Sequence, residues 1–320
     1  MTPSSLHSAR TPQPSFFDTM KYLSVLLLTL PLCASAQPSS AALEAIGRQD
    51  PTGGGTFHRI GMLREQENTV SRFEQLTKKL SGQVRANTMV FASDNIFNTP
   101  NNEESDSQLA EFLGANVRVE FNDQLKLNTS YDAAFFRHKK DANSGNDIDT
   151  STFRQQLTYE RFILNNKASV GIPLLWQYSE VYAAGGGDPL ARTWTYSSGV
   201  EFSWFPNSRV FPSFSYNYFL SDPKAGAGKN KHDFNLGVTL IPFSGKRFFV
   251  IPSVQYSYED FKKSSRTDKA WTPTLTTSWS PLKFFALDAV ASYTDSASNV
   301  GASEFDAFTA TLFARLFWNW

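Results

Sequence analysis

The sequence lacks most of the residue combinations on which enzymes and metal sites depend. Its 320 residues include one cysteine, Cys33, and four histidines, so neither an internal disulfide nor a cysteine-based metal cluster can form. It also contains no glycine-rich phosphate loop and no spaced set of metal ligands. Lysine plus arginine equals aspartate plus glutamate at 30 each, without a basic patch. We therefore predict no cofactor, no metal site and no nucleic-acid partner.

Long hydrophobic runs are also scarce, and the one long run lies near the start of the chain. Residues 22–33 form an apolar stretch between a positive Met-Lys start and a small Ala-Ser-Ala exit. These three parts predict a secretory signal peptide over residues 20–36, and the run is too short to span a bilayer. Residues 1–19 are interpreted as an upstream extension. A lipid anchor at Cys33 is the alternative, but the bulky Leu32 precedes it where lipidation favours a small residue.

Two further segments precede the region of strands. Residues 37–58 are small, polar and glycine-rich, which predicts a flexible leader. Residues 59–81 have a helical period, with one narrow apolar stripe formed by Val70, Phe73, Leu76 and Leu80. They predict one amphipathic helix, either a plug within the rest of the molecule or a periplasmic appendage.

From residue 82 to residue 320 the hydrophobic period is two, which indicates strands with two different faces. The pattern predicts twelve strands, at residues 83–92, 111–122, 124–138, 151–164, 168–183, 191–205, 209–221, 231–243, 247–261, 269–280, 283–295 and 304–320. Short turns alternate with longer polar loops between these strands. This alternation predicts an all-β fold, a 12-stranded antiparallel up-and-down transmembrane β-barrel.

The five short turns are rich in residues that favour tight reversal of the chain. They are predicted at Asn122-Asp123, Asn165-Asn166, Pro206-Asn207-Ser208, Ser244-Gly245-Lys246 and Ser280-Pro281-Leu282. An even number of strands places both ends of the chain on the side of these turns, which we take to be the periplasm.

One face of the strands is apolar and is expected to contact lipid, whereas the other is polar and is expected to line the lumen. The candidate lining residues are the charged residues of the inner face: Arg85, Arg118, Glu120, Lys126, Asp132, Arg154, Glu160, Glu201, Asp288 and Arg315. They fit either a pore that selects solutes by charge and size or a set of buried ion pairs that fills the lumen. Arg118, Lys126 and Arg315 are the first candidates for a zone that attracts anions.

Eight charged or ionisable residues fall on the apolar face and test this assignment, because a charge in the middle of a lipid-facing surface costs about 2 to 4 kcal/mol. All are close to the predicted strand ends: Arg137, Arg161, Glu180, Arg192, His232, Asp260, Lys283 and Asp306. Aromatic residues also concentrate at both ends of the apolar face, as in the interfacial belts of membrane proteins.

The last sixteen residues carry a resemblance to a known class. Counting back from the end in steps of two, the strand contains Phe308, Leu312, Leu316, Trp318 and Trp320. This pattern resembles the C-terminal signal of Gram-negative outer-membrane β-barrel proteins of the porin class. The resemblance implies the bacterial outer membrane, with the lipid bilayer and lipopolysaccharide as surroundings. It also implies recognition of these five residues by the outer-membrane barrel assembly machinery.

The expected function is that of a porin-like channel for the passive passage of small polar solutes. A non-conducting structural or assembly barrel with an ion-paired lumen is the alternative, followed by an outer-membrane lipid-acting enzyme and an autotransporter-like translocator. We expect no enzyme, because His58, His138 and His232 lie in no segment that resembles a lipase motif. A soluble β-sandwich or lipocalin-like barrel is the competing fold, in which the apolar face would point inward.

Overall fold

The computed structural model describes residues 80–95, 105–223, 228–243, 248–262 and 264–319. The predicted signal peptide, the leader and residues 59–79 of the predicted helix lie outside this part, as does Trp320. Leu80 and Ser81, the last two residues of the predicted helix, instead begin the first strand. No helix of the described residues is long and apolar enough to cross a membrane.

Twelve antiparallel strands form a closed barrel in which each strand pairs with its neighbours in sequence and the last pairs with the first. This confirms the predicted 12-stranded up-and-down barrel. Two short 3-10 segments, Asp141–Asn146 and Gly301–Ser303, lie in the loops. The strands are β1 (Leu80–Ser93), β2 (Asp106–Glu120), β3 (Leu125–His138), β4 (Ile148–Ile163), β5 (Ala168–Ala183), β6 (Ala191–Trp204), β7 (Val210–Pro223), β8 (Lys229–Leu240), β9 (Phe248–Phe261), β10 (Thr267–Leu282), β11 (Phe285–Ser298) and β12 (Phe305–Asn319).

Asparagine side chains stabilise the short turns at one end of the barrel. Asn122 Oδ1 accepts hydrogen bonds from the backbone N–H groups of Gln124 and Leu125, at 2.9 and 2.8 Å. Asn207 Oδ1 does the same two and three residues downstream, at 2.8 and 2.9 Å. Residues 164–166 instead turn through positive φ angles of 52°, 53° and 65°, a conformation that asparagine tolerates better than most residues.

Most strand boundaries lie within three residues of the prediction, and two differences have a clear structural reason. The second strand begins at Asp106 rather than at residue 111, because the polar residues Ser107 and Gln108 obscure an alternation that continues through pairing with β1. The predicted turn at 280–282 is wrong, since these residues belong to β10. The register there shifts between Trp279 and Leu282, and such an irregularity accommodates a proline that cannot donate a backbone hydrogen bond.

Adjacent residues of β12 show which face points outward. Leu312 is 56% exposed whereas the next residue, Phe313, is 3% exposed, and Trp318 is 56% exposed beside Phe317 at 4%. A soluble barrel would bury the apolar class that is exposed here. The outward direction of the apolar face is therefore confirmed, and the soluble lipocalin-like alternative does not fit.

Outward-facing polar groups near the loops have partners. Arg137 Nη2 lies 2.7 Å from Asp149 Oδ1, and Arg192 Nε donates to Glu180 Oε1 at 3.0 Å. Aromatic rings pack beside the Arg192–Glu180 pair, where the ring centroids of Tyr178 and Trp194 are 4.3 Å apart. Pairing lowers the cost of placing a charge beside the hydrocarbon layer, and aromatic rings suit the boundary between lipid and water.

Candidate pore lining

The inner face of the barrel differs from one side to the other. We call the inward residues of β12, β1, β2 and β3 the filled wall, and those of β6 and β7 the open wall. In a ring of twelve strands, β7 lies six strands from β1 in either direction, so the two walls face each other. In the loop half of the filled wall the inward residues of β1 and β2 are buried, whereas every inward residue of the open wall is half-buried.

Apolar side chains pack together in the loop half of the filled wall. Phe112 on β2 packs edge-on against Phe136 on β3, with ring centroids 5.7 Å apart. The cluster consists of Met89, Phe91, Ala110, Phe112, Ala134, Phe136, Ile148 and Phe313. Sequence reasoning missed it, because the inner face was identified by its charges. The available signal was that both faces are apolar in MVFA of β1 and AAFF of β3.

An ion pair crosses a whole strand in the turn half of the filled wall. Arg85 on β1 reaches over β2 to Asp132 on β3, with Nη2 and Nε at 2.5 and 3.1 Å from Oδ1. Gly114 lies between them in register with both residues. A Cβ atom at Gly114 would overlap Asp132 Oδ1 and lie 2.8 Å from Arg85 Nε. The pair therefore depends on the absence of a side chain at this position.

Three further ion pairs use residues of the predicted lining. Arg315 on β12 binds Asp288 on β11, with Nη2 donating to Oδ1 at 2.9 Å, and Asp288 is 1% exposed. The other two pairs are Lys126 with Glu160 at 2.6 Å and Arg118 with Glu120 at 2.9 Å. The sequence suggested that Arg118, Lys126 and Arg315 form a zone that attracts anions. In the structure each has a carboxylate partner that compensates its positive charge.

Of the remaining two predicted residues, one lies on β4, next to the filled wall, and the other lies on the open wall. Arg154 on β4 donates from Nε and Nη2 to Gln177 Oε1 on β5, at 3.0 and 2.8 Å. Glu201 on β6 lies beside Gly171 on β5, with its Oε2 3.7 Å from where a Cβ of that glycine would be. Glu201 is the one ionisable residue among the inward residues of β6 and β7.

A second charged group surrounds the loop end of β8 and β9. Lys229 donates to Glu259 at 2.9 Å, and Lys231 lies 3.0 Å from Asp233 and 4.0 Å from Glu259. The pattern Lys-x-Lys-x-Asp has the inward period of two, so the alternation that located the other charges could have located these.

The open wall carries small hydroxyl and amide side chains. Thr195 and Ser221 hydroxyls lie 3.3 Å apart across β6 and β7. The amide of Asn217 lies flat against Gly199, since a Cβ at Gly199 would overlap both Asn217 Oδ1 and the Tyr216 carbonyl. The inward residues of these two strands are Ala191, Thr193, Thr195, Ser197, Gly199, Glu201, Ser203, Phe211, Ser213, Ser215, Asn217, Phe219, Ser221 and Pro223.

No family model matches the sequence, and no curated protein matches it. Among solved structures, the fold is similar to that of an outer-membrane channel from Pseudomonas putida F1, with a TM-score of 0.53 and 9% identity over 77% of this chain and 98% of that chain. The chain has the fold of an outer-membrane β-barrel.

Two other solved structures align less closely. The NanC porin gives a TM-score of 0.45 at 11% identity, over 73% of this chain and 98% of that chain. The translocator domain of the autotransporter NalP from Neisseria meningitidis gives 0.44 at 8% identity, over 81% and 95%. At such identities the likeness concerns the fold alone. Together with the apolar outer surface, the fold of this barrel fits a lipid bilayer and the bacterial outer membrane.

Proposed function

We propose that this protein is a porin-like channel, through which small polar solutes pass passively along the open wall. The observation that carries the proposal is the contrast between the two walls: hydroxyl and amide side chains remain half-buried on β6 and β7, opposite a packed and ion-paired wall. A barrel that served only as a filled scaffold would gain nothing from a strip made up mainly of small polar side chains. Passage of solute needs such a strip, because water and solute must find hydrogen-bond partners along the way.

The proposal is a non-enzymatic one. His138 Nδ1 lies 3.0 Å from Asp147 Oδ1, and its other ring nitrogen, Nε2, lies 2.6 Å from Gln108 Nε2. His232 is on the outer face, with Nδ1 3.0 Å from the Tyr216 hydroxyl. The contacts of these two histidines fit structural roles at the loop end of the barrel better than activation of a nucleophile.

The second candidate is a non-conducting structural barrel, and the four ion pairs of the predicted lining favour it. Eight of the ten predicted lining residues neutralise one another in pairs, as expected of a lumen held closed by its own side chains. All four pairs lie on β1–β4, β11 and β12. The open wall is therefore the part of the barrel that distinguishes the two candidates.

Planar-bilayer recording of residues 37–320 tests the proposal, with two matched variants of neighbouring serines on β6. Ser197 points inward and is half-buried, whereas Ser198 points outward and is exposed. We expect stable current steps from the unchanged protein, a much smaller conductance for Ser197→Trp and no change for Ser198→Trp. A folded, inserted and silent barrel would instead support the structural candidate.

We further propose that the outward residues of β12 direct assembly, and that Phe308, the one nearest the loops, contacts the outer leaflet. Phe308, Leu312, Leu316 and Trp318 are all exposed on the outer face, which is the surface that the barrel assembly machinery and lipopolysaccharide could reach. Trp320 completes the pattern in sequence. A Leu312→Asp variant should fail to appear in outer-membrane fractions, whereas Thr311→Asp, which points inward on the same strand, should still insert.

A further inference from the structure

We propose that the open wall selects electrically neutral, hydroxyl-bearing solutes over ions of the same size. This inference rests on the proposed channel function and names the solute class that the open wall would pass. The distribution of charge inside the barrel is the first observation that supports it. On the filled wall, the cations Arg85, Arg118, Lys126 and Arg315 each have a carboxylate partner.

The charged residues at the loop end of the lumen are also paired. Lys229 and Lys231 lie against Glu259 and Asp233, and Arg266 lies 2.6 Å from Asp268. Cations and carboxylates therefore offset one another at both ends of the lumen. The two other inward charges of the predicted lining, Arg154 on β4 and Glu201 on the open wall, are of opposite sign and leave no net charge between them. A passing ion therefore finds little excess of either sign to replace its hydration shell, and leaving water without such compensation is costly.

The open wall supplies what a neutral solute needs. Inward residues repeat about every 7 Å along a strand, and neighbouring strands lie about 4.8 Å apart, so the hydroxyl groups form a ladder along the lumen. Each hydroxyl offers one donor and two acceptor positions. The Thr195–Ser221 pair uses only part of this capacity, and the Asn217 amide adds donors and an acceptor two inward positions away along β7. A polyhydroxylated solute can exchange water for these groups step by step.

Entry of three sugars of similar size into proteoliposomes tests the inference: glucose, the anion glucuronate and the cation glucosamine. We expect glucose to enter several-fold faster than either charged sugar through the chain of residues 37–320. Equal or faster entry of glucuronate or glucosamine would overturn the inference while leaving the channel intact. Entry of none of the three, together with an absence of ion conductance, would instead overturn the proposed channel function.

A pair of isosteric substitutions makes the same test within the wall. Asn217→Asp adds one negative charge to the open wall without changing its shape, and it should raise glucosamine entry relative to glucuronate several-fold. Asn87→Asp makes the same change on β1, inward but on the filled wall, and should leave this ratio nearly unchanged. An unchanged ratio in Asn217→Asp, or an equal change in both variants, would contradict the assignment of selection to the open wall.

Discussion

The two walls of the barrel have the same outer surface and different inner surfaces. Outward, both present large apolar side chains to lipid, such as Leu312 on β12 and Trp204 on β6, which are 56% and 46% exposed. Inward, the filled wall presents phenylalanines and ion pairs, whereas the open wall presents serine, threonine and asparagine. The bilayer requires an apolar outer face on every strand. We attribute the difference between the walls to what each contributes to the lumen: stability on the filled wall and, in the proposed function, passage of solute on the open wall.

The largest expected effect comes from removing one partner of the buried ion pair in the filled wall. Asp288→Ala leaves the Arg315 guanidinium without its carboxylate, and breaking a buried pair in this way costs about 3 to 5 kcal/mol. Denaturant unfolding in detergent, followed by tryptophan fluorescence, measures the loss. The double variant Asp288→Leu with Arg315→Met should be far less destabilised, because no charge is left alone. Equal losses of unfolding free energy in the single and the double variant would show that an uncompensated Arg315 charge is not what destabilises Asp288→Ala.

A comparison of two phenylalanines tests the walls directly. Phe112→Ala removes a buried ring from the apolar cluster and should cost about 3 to 5 kcal/mol in unfolding free energy. Phe219→Ala removes a half-buried ring from the open wall and should cost about 1 kcal/mol, near the centre of the range for single substitutions. The same denaturation measurement compares them. Similar losses would mean that the open wall is packed as tightly as the filled wall.

Two inward glycines, Gly114 on β2 and Gly171 on β5, allow a similar comparison with smaller expected losses of stability. Gly114→Ala places a Cβ where the Arg85–Asp132 pair crosses β2, so the pair must separate or shift, at a cost of about 1 to 3 kcal/mol. Gly171→Ala meets only ordinary contacts at 3.7 Å and longer, and should change stability little. Unfolding midpoints of the two variants provide the test. A tolerated Gly114→Ala would show that Arg85 and Asp132 do not need the space above this glycine.

The smallest expected effect is that of trimming one hydroxyl from the open wall. Thr195→Ala removes one member of a hydroxyl pair that water can replace, so its effect on stability should stay within about 0.5 kcal/mol, as for most substitutions away from packed sites. Glucose entry should fall only slightly, because neighbouring hydroxyls remain. A large loss of stability would show that this wall is structural after all.

Strand number, pairing order and the outward face were predictable from sequence, because lipid imposes an uninterrupted period of two on every strand. The interior was only partly predictable. Arg85 and Asp132 were recognised as inward charges, but their partnership depends on Gly114 on the strand between them, a residue that is unremarkable in sequence. Phe112 and Phe136 were missed because an inward phenylalanine looks the same in sequence as an outward one. The packing of each wall depends on contacts between strands. The alternation of polar and apolar residues along a single strand gives no information about those contacts.

The most direct test of the central claim is the accessibility of single cysteines inside the barrel during bilayer recording. The chain of residues 37–320 contains no cysteine, so Ser215→Cys on the open wall and Ala134→Cys on the filled wall each introduce one reactive thiol. A charged, water-soluble methanethiosulfonate reagent is added during planar-bilayer recording. The account predicts a stepwise fall in current for Ser215→Cys and an unchanged current for Ala134→Cys, because Ser215 is half-buried and Ala134 is 1% exposed. A fall at Ala134→Cys with none at Ser215→Cys would contradict it.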